Sequence, residues 1–448
     1  MTQHPGADVR VSELMAAISL ATDIGMAQPL ETGLAVCMVA TGLAGRLALS
    51  AAVRQRTYQL SLLQHIGCTA AATQVASVMG DEMVMRAHAA MLDFADAGQM
   101  FRFLLAHVGR TNPPLHRPAA LARAVAGGKR MTGTMVDVCE AAEAFLAGPD
   151  AALSPLEAEA SLWDAVISAE PVPSRLAEPP GIDRALRAVA DLVDLKSPFL
   201  AGHSSGVAEL AAAAAGQMGL DSQEVITIRR AGWLHDLGRI GVSSSVWGHP
   251  GPLTAHRQEQ VRLHSCYTGR VLDRTPFLRG LGALASAHHE RLDGSGYVRG
   301  ARGGQLGPAA RVLAAADAYH AMTEQRPYRG PLSPQAAAKE LRAEADGGRL
   351  DGAAVEAVLT AAGQPVARRR PRAAAGLTPR EVEILRQLVR GLSIRQIARE
   401  LSIAPKTVDG HIQRIYSKTG VSTRAGAALF ALSHDLVPGG RENGENSP

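Results

Sequence analysis

The sequence predicts an all-α protein, and three observations support this fold class. The chain is 46% hydrophobic but only 4% aromatic, and much of the hydrophobic content is Ala and Leu, which favour helix. Candidate metal-ligating residues recur at steps of 24 to 32 residues between positions 203 and 317, about the length of two helices and their loops. Two segments near the C-terminus open with the capping-box pattern that begins a helix.

Length and composition indicate a multidomain protein of the cytoplasm. A chain of 448 residues is long enough for roughly two to four domains. Its four cysteines lie far apart, without disulfide or zinc-ligand spacing, which fits a reducing compartment. The N-terminus lacks a secretory signal pattern. The longest apolar stretch near it, residues 32–45, is shorter than the roughly 18 residues of a membrane helix, so we expect no membrane partner.

The central motif is the pair His235-Asp236 within a Trp-Leu-His-Asp-Leu-Gly-Arg run. The other candidate ligand positions, called stations below, are separated from this pair and from one another by about the length of two helices and their loops. The chain therefore returns to the same end of a helical bundle each time, where side chains from different helices converge. The stations are His203, His264, His288, His289 and Asp317. A single histidine is more often a surface or core residue, but five histidines and two aspartates at one recurring spacing favour a shared metal site.

Imidazole and carboxylate ligands suit divalent iron, manganese, zinc, cobalt or nickel, and iron or manganese is the expected choice. Asp236 has two oxygens and can bridge two cations while His235 binds one of them. Two cations about 3.5 to 4 Å apart can hold and ionise a water for attack on phosphorus. The pattern therefore predicts two divalent metal ions and phosphoester hydrolysis.

The ordered motifs of residues 185–360 resemble the HD-GYP phosphohydrolase family. Beyond the stations above they include Pro250-Gly251-Pro252-Leu253-Thr254, Asp293-Gly294-Ser295-Gly296-Tyr297 and Arg326-Pro327-Tyr328-Arg329. The resemblance implies an all-helical domain with two or three metals that hydrolyses cyclic di-GMP. It implies seven metal ligands: His203, His235, Asp236, His264, His288, His289 and Asp317. It also implies that Asp236 and Arg239 act in catalysis, and that Arg239, Arg291, Asp293, Gly294, Gly296 and Tyr297 bind substrate.

The chain departs from this family pattern at four positions. Val298 stands in place of the Pro of Gly-Tyr-Pro, Arg239 in place of Lys, and His320 in place of a second Asp. Phe199 occupies the position of the Glu in trinuclear members, which favours two metals. The alternative is a domain that binds a nucleotide without cleaving it. Val298 and Arg239 favour this alternative, whereas the complete ligand set favours catalysis.

Residues 1–175 show helical periodicity and an echo of the central motif. The run Leu63-Gln64-His65-Ile66-Gly67 aligns with Leu234 to Gly238, and Thr32 then aligns with His203. Coincidence between two Ala- and Leu-rich helices is one explanation. Our hypothesis is a degenerate HD-like domain that binds no metal, so that the fold comprises two HD-like helical domains, the first degenerate. The proline-rich segment 169–180 predicts a boundary, and the metal domain is predicted at 181–362.

The C-terminal part carries the positive charge of the chain. Residues 368–437 contain 13 Lys and Arg against 5 Asp and Glu, which points to a nucleic-acid partner there. A basic linker, 363–376, precedes it and is either a flexible tether or an additional contact to phosphates. The tail 438–448 has the composition of a disordered segment.

Residues 377–437 are predicted to form a helix-turn-helix domain. Capping boxes at Thr378 and Ser393 and a proline at 405 begin three helices. On the third helix Val408, Ile412 and Ile415 have the spacing of a core face. The opposite face is polar and basic, as in a helix that enters the DNA major groove.

This stretch also resembles the LuxR-type helix-turn-helix through Leu377-Thr378-Pro379-Arg380-Glu381, Gly391-Leu392-Ser393 and Lys418-Thr419-Gly420-Val421. The resemblance implies a four-helix domain that binds double-stranded DNA as a homodimer. It implies that Asp409, Gly410 and Gln413 face base edges and that Lys406, Thr407, Arg414 and Lys418 lie near phosphates. The whole sequence is then read as a transcriptional regulator that carries a metal-dependent phosphohydrolase, with a nucleotide as substrate or ligand.

Overall fold

The computed structural model describes residues 9–70, 72–79, 81–89, 92, 96–108, 161–365, 377–433 and 436. The predicted tail and linker residues 366–376 lie outside this part of the chain. The described residues contain two isolated β-bridges and no strand, which confirms the all-α fold class. No helix among them is both long enough and apolar enough to cross a membrane. The chain divides into two compact units, residues 1–365 and 366–448.

The first unit contains seventeen described α-helices. They are α1 Val11–Gly25, α2 Thr32–Arg46, α3 Ala51–Leu62, α4 Ile66–Ala70, α5 Ala72–Met79, α6 Glu82–Ala89, α7 Ala97–His107, α8 Leu162–Ser168, α9 Pro179–Asp194, α10 His203–Gln217, α11 Ser222–Leu234, α12 Ser244–Trp247, α13 Ala255–Leu272, α14 Pro276–Ala285, α15 Pro308–Thr323, α16 Pro334–Asp346 and α17 Gly352–Ala361. Short 3₁₀ turns lie at Pro198–Leu200, Leu237–Gly241 and Gly303–Gln305.

Helix α10 is the central element of this unit because it packs against α11, α15 and α17. Its inner face is built from small residues, with Ala208, Ala211 and Ala215 fully buried. These side chains allow neighbouring helices to approach closely. At Gly232 of α11 an added Cβ would lie 2.6 Å from the Cα of Ala208. The tight packing of α10 and α11 brings His203 and His235 to the same end of the bundle.

The N-terminal helices share one hydrophobic core with the predicted metal domain. Buried residues of α1 such as Leu14 and Leu20 belong to the same cluster as Leu237 and Val358. Helix α1 packs behind the 3₁₀ turn that follows His235-Asp236. The separate, degenerate HD-like domain over 1–175 stays a prediction, since part of that range lies outside the described residues. Helix α9 begins at Pro179, two residues before the predicted domain start, because proline is well tolerated in the first helical turn.

A buried ion pair joins the N-terminal region to both flanks of the central motif. Glu82, the first residue of α6, accepts hydrogen bonds from Lys196 Nζ at 2.9 Å, from Ser243 Oγ at 2.7 Å and from the Ser244 backbone N–H at 2.7 Å. Both charged side chains are fully buried. Lys196 precedes His203, and Ser243 follows the 3₁₀ turn at 237–241, so Glu82 holds two loops next to the predicted site.

The second unit confirms the helices predicted for the C-terminal part. They are α18 Pro379–Val389, α19 Ile394–Glu400, α20 Pro405–Thr419 and α21 Arg424–Ser433. Thr378 and Ser393 each form a capping box, with Glu381 and Gln396 as the reciprocal partners. The helices enclose a separate core that includes Val408, Ile412 and Ile415, as their spacing predicted.

Replacing Glu82 tests the buried ion pair. Glu82→Ala should lower the free energy of unfolding of the first unit by about 3–5 kcal/mol, because it leaves the Lys196 ammonium buried without its partner. The measurement is urea denaturation followed by tryptophan fluorescence, since all three tryptophans lie in residues 161–365. The control is Glu209→Ala, which breaks a 3.3 Å exposed pair with Arg229 and should cost at most about 1 kcal/mol. Equal losses in the two variants would contradict the prediction.

Candidate metal centre and helix-turn-helix surface

The predicted metal ligands occupy helix ends that meet at one side of the first unit. His203 is the first residue of α10, His235 follows α11, and His288 follows α14. His264 lies within α13 and Asp317 within α15. These residues and Asp236 are at most 4% exposed. His289 is the exception, with 19% of its side chain exposed. The structure therefore brings all seven predicted ligands together.

Asp236 lies at the centre of this group, and its two oxygens face different pairs of histidines. Oδ2 lies 3.0 Å from His235 Nε2 and 3.5 Å from His203 Nε2. Oδ1 lies 3.3 Å from His264 Nε2 and 3.6 Å from His288 Nε2. A carboxylate with histidine pairs on opposite oxygens has the arrangement of a bridging ligand.

Asp317 and His289 complete the two halves of the group. Asp317 Oδ1 lies 3.3 Å from His203 Nε2 and 3.8 Å from His235 Nε2. Its Oδ2 lies 3.8 Å from His289 Nδ1. Among the described residues, four groups of potential ligand atoms each lie within 4.8 Å of one another. They are His203, His235 and Asp317; His264, His288 and His289; His235, Asp236 and His288; and His203, His320 and Glu324.

Three of the imidazoles are oriented by the backbone three residues earlier. Nδ1 of His235 contacts the carbonyl oxygen of Gly232, that of His264 the carbonyl of Val261, and that of His288 the carbonyl of Ala285. These contacts place the protons on Nδ1 and leave Nε2 facing Asp236. A ligating histidine is usually held in this way, by a hydrogen bond to its other nitrogen.

His203 obtains the same orientation from a side chain. Its Nδ1 lies 2.8 Å from Glu324 Oε2, just beyond the C-terminal end of α15. Nε2 of His203 and Nε2 of His235 are buried without a hydrogen bond of regular geometry. Buried polar atoms normally have a partner, so two unsatisfied nitrogens beside a buried carboxylate are what a metal site would leave when the ion is removed.

The charges in the group suit metal ligation. Burial acts to raise the pKa of Asp236, but Arg239 and His235 outweigh it and hold that pKa well below its ordinary value. Burial, with His235 nearby, lowers the pKa of His288 to about 3. Burial also opposes protonation of His203, yet the adjacent carboxylates of Asp317 and Glu324 raise its pKa to about 9. Since a ligating imidazole must be neutral, a cation held by His203 would have to displace this proton.

Arg239 lies between the Asp236 carboxylate and the cleft beside the metal-ligand group. Its Nη2 lies 2.7 Å from Asp236 Oδ2, with only 7% of its side chain exposed. The guanidinium carbon lies 5.0 Å from the centre of the Trp247 ring, close enough for a cation–π contact. The side chain is therefore held over the carboxylate on one side and against an aromatic wall on the other.

A cleft of about 220 Å³ opens onto the group, and its lining contains only part of the predicted substrate set. Arg239 and Tyr297 line it, together with Trp247, His289 and Asp317. Arg291, Asp293, Gly294 and Gly296 are not in the lining. Asp293 is exposed, where it accepts hydrogen bonds from the backbone N–H and the hydroxyl of Ser295. Arg291 donates to the carbonyl oxygens of His288 and Glu290.

The two predicted glycines shape the loop that carries Tyr297. Gly294 has a φ of +80°, which favours glycine. At Gly296 an added Cβ would lie 2.4 Å from the Arg291 backbone nitrogen, so only glycine allows the loop to fold back on itself there. As a result, the Tyr297 ring lies 4.7 Å from the His289 ring.

Sequence reasoning missed several residues that build the site. Glu324 holds His203, and Glu290 accepts hydrogen bonds from the backbone N–H groups of Arg299 and Ala301. Trp247 walls the cleft. Glu324 could have been found by periodicity, because it lies four residues after His320 and seven after Asp317, on the same helix face. The position of Trp247 depends on the tertiary fold and had no comparable signal.

The outer face of α20 presents the residues predicted to contact DNA. Lys406, Thr407, Asp409, Gln413, Arg414 and Lys418 are exposed, and Gly410 is half-buried. Lys418 Nζ lies 2.7 Å from Oε2 of Glu381. Glu381 also accepts from the Thr378 backbone N–H as the capping-box residue of α18. Lys418 therefore helps to fasten α20 to α18, in addition to its predicted role near phosphates.

Family comparison agrees with this geometry. Residues 187–354 match the family model of the HD domain. This part of the chain is an HD domain. Residues 375–431 match the model of bacterial regulatory proteins of the luxR family, and the second unit is therefore a luxR-family domain. Both matches fall on the parts of the chain where sequence motifs predicted them.

Relatives of the HD domain include cyclic-dinucleotide phosphodiesterases. The 3'3'-cGAMP-specific phosphodiesterase 3 of Vibrio cholerae is 38% identical over 145 residues, which are 32% of this chain and 32% of that protein. A cyclic di-GMP phosphodiesterase of Thermotoga maritima is 35% identical over 141 residues, 31% of this chain and 38% of that protein. The chain therefore spans less than half the length of these relatives.

Among solved structures, that of a cyclic GMP-AMP specific phosphodiesterase of V. cholerae aligns with 80% of this chain and 98% of its own, with 20% sequence identity and a TM-score of 0.46.

Gly238 offers a test of how the metal group is assembled. An added Cβ there would lie 2.0 Å from the carbonyl oxygen of His264 and 2.7 Å from the backbone nitrogen of Thr268. Gly238→Ala should therefore push Asp236 away from α13 and weaken divalent-metal binding by about tenfold or more, as other disturbances of ligand orientation do. Affinity is measured by titration against a metallochromic chelator.

Gly280→Ala is the matched control for Gly238→Ala. Gly280 lies within α14 and an added Cβ there meets nothing within 4 Å. This variant should bind metal like the parent and gain up to about 1 kcal/mol in stability from better helix propensity. Unchanged metal affinity in Gly238→Ala would show that this close approach does not position Asp236.

Proposed function

We propose that the HD domain is a metal-dependent phosphodiesterase that hydrolyses a cyclic dinucleotide, joined to a luxR-family domain that binds double-stranded DNA. The chain would then act as a homodimeric transcriptional regulator with its own phosphohydrolase. The observation that carries the hydrolase proposal is the buried group of seven ligands, with Asp236 between two histidine pairs.

Two divalent cations, iron or manganese, are the cofactors that this donor set fits best. His203, His235, Asp236 and Asp317 would hold one, and Asp236, His264, His288 and His289 the other. When bound, such a pair supplies an ionised water for attack on phosphorus. Structural zinc sites usually close around one ion with four ligands, so seven donors beside an open cleft favour a catalytic role.

The side chains of the cleft account for substrate binding in this proposal. Arg239 is fixed by Asp236 and Trp247 and would neutralise charge on the scissile phosphate. Tyr297, Trp247 and Tyr328 supply aromatic surface in the same cleft, and nucleobases stack readily on such rings. Arg291, Asp293, Gly294 and Gly296 would act by shaping and holding the loop that carries Tyr297.

The relatives named above act on 3'3'-cGAMP and on cyclic di-GMP, so the substrate proposed here is one of these two 3',5'-linked cyclic dinucleotides. The two share a phosphodiester ring and differ in one base. Comparing their rates of conversion to linear product with the same metal-loaded preparation would distinguish them.

The second candidate is a domain that binds the nucleotide without cleaving it. The observation that favours it is the 2.7 Å ion pair of Arg239 with Asp236 Oδ2, because this guanidinium lies at the carboxylate oxygen that a cation would need. Binding of the nucleotide with no turnover by metal-loaded protein would support this function over hydrolysis.

Replacing Asp236 tests the hydrolase directly. Asp236→Ala should abolish conversion of cyclic dinucleotide to linear product and reduce bound metal in the same preparation, because it removes the carboxylate whose two oxygens face the two histidine pairs. Elemental analysis and chromatography of the products provide the two readouts. Asp273→Asn, which changes an exposed aspartate paired with Arg279, should retain both. Full turnover by Asp236→Ala would exclude the assigned centre.

DNA binding is tested by selection from a random DNA library. Gln413→Ala should change the preferred sequence, because an amide side chain facing the groove reads a base edge. Lys406→Ala should weaken binding to every sequence and reduce the salt slope by about 1. Lys339→Ala, an exposed lysine of α16, serves as control and should bind like the parent. If Gln413→Ala prefers the same DNA sequence as the parent, Gln413 does not read a base edge.

A further inference from the structure

We infer that Glu324 is a positioning residue of the metal centre, which holds the His203 ring with Nδ1 protonated and Nε2 directed at the cation. The inference rests on the metal binding proposed above. It concerns how one ligand is oriented and does not depend on whether the substrate is cleaved.

The location of His203 explains why it needs such a residue. His235 and His288 follow helix C-termini, where backbone carbonyl oxygens lack helical partners and can accept from Nδ1. His203 is the first residue of α10, and the groups left free at a helix N-terminus are N–H donors. His203 has no α-helical residue three positions before it, and its Nδ1 has a side-chain acceptor instead, Glu324.

Glu324 is held so that it can be that acceptor. Its Oε2 lies 2.8 Å from His203 Nδ1 and 2.8 Å from Arg326 Nη2. Arg326 is buried and also donates to the carbonyl oxygen of Phe199, in the turn that leads into α10. Arg326 therefore links the Glu324 carboxylate to the turn that precedes the His203 helix.

The other carboxylate oxygen faces His320, whose Nδ1 is buried without a hydrogen bond of regular geometry. Nδ1 of His320 lies 3.1 Å from Glu324 Oε1, and the His320 ring lies 5.4 Å from the His203 ring. Space for this ring exists because residue 206 is glycine, where an added Cβ would lie 2.0 Å from His320 Nε2. His203, His320 and Glu324 thus form one packed unit at the edge of the metal group.

The test measures affinity for Co²⁺ by chelator competition and the visible absorption of the bound Co²⁺, which reports ligand geometry. Glu324→Ala should bind Co²⁺ about 10 to 100 times more weakly than the parent, the range found when a residue that orients a metal ligand is removed, and its absorption bands should change. Glu324→Gln retains an oxygen for Nδ1–H and should lose less.

The matched control is Glu356→Ala. Glu356 and Glu324 each pair with an arginine at 2.8 Å, Glu356 with Arg342 and Glu324 with Arg326. Their side chains are similarly exposed, 21% and 20%, but Glu356 lies on α17. It should bind Co²⁺ like the parent, with the same spectrum. If Glu324→Ala does not fold, Glu324→Met keeps the volume without an acceptor and replaces it in the comparison.

Three results would overturn the inference. They are a Glu324→Ala affinity within twofold of the parent with an unchanged spectrum, equal losses in Glu324→Ala and Glu324→Gln, and equal losses in Glu324→Ala and Glu356→Ala. Failure of the proposed function is distinguishable. If the parent binds Co²⁺ but cleaves no cyclic dinucleotide with any divalent metal, the hydrolase proposal is wrong and the inference about Glu324 still stands. If the parent binds no divalent metal, both the hydrolase proposal and the inference about Glu324 are wrong.

Discussion

The burial of the Asp236 carboxylate is the constraint on which the rest of the HD domain depends. A carboxylate this deep in a helical bundle stays ionised only if cationic and hydrogen-bonding groups surround it. Here those groups are Arg239 and four imidazoles, which lie on or just after four different helices. Each of these helices must therefore either end level with Asp236 or direct one of its side chains toward it. The small residues at the contact of α10 with α11 are the packing solution that permits this.

The N-terminal helices pack against the HD domain and share its hydrophobic core. Glu82 fixes the loops on both sides of the central motif through Lys196 and the Ser243-Ser244 backbone and side chains. Helix α1 packs behind the turn at 237–241. A change in this region would therefore reach His203 and Asp236 through buried contacts. The same kind of residue appears in the luxR-family domain, where Glu381 both caps α18 and holds Lys418 of α20.

Sequence reasoning predicted the local features best. Capping boxes at Thr378 and Ser393 and the core positions 408, 412 and 415 follow from rules that span a few residues, and the structure confirms them. The seven candidate metal ligands were predicted from the resemblance to the HD-GYP family and from their recurring spacing, which is about the length of two helices and their loops. Glu324 and Trp247 were missed because their partners lie far away in sequence, and a single Glu or Trp carries no pattern.

The sequence by itself determined the helical fold class, the chemistry of the donor groups and the basic face of α20, since these depend on residue type and local periodicity. Only the tertiary structure decided which histidine faces which oxygen of Asp236, that His203 depends on Glu324, and that Arg239 rather than Arg291 lines the cleft. These choices rest on contacts between residues up to 121 positions apart, whose geometry is fixed by packing and not by spacing along the chain.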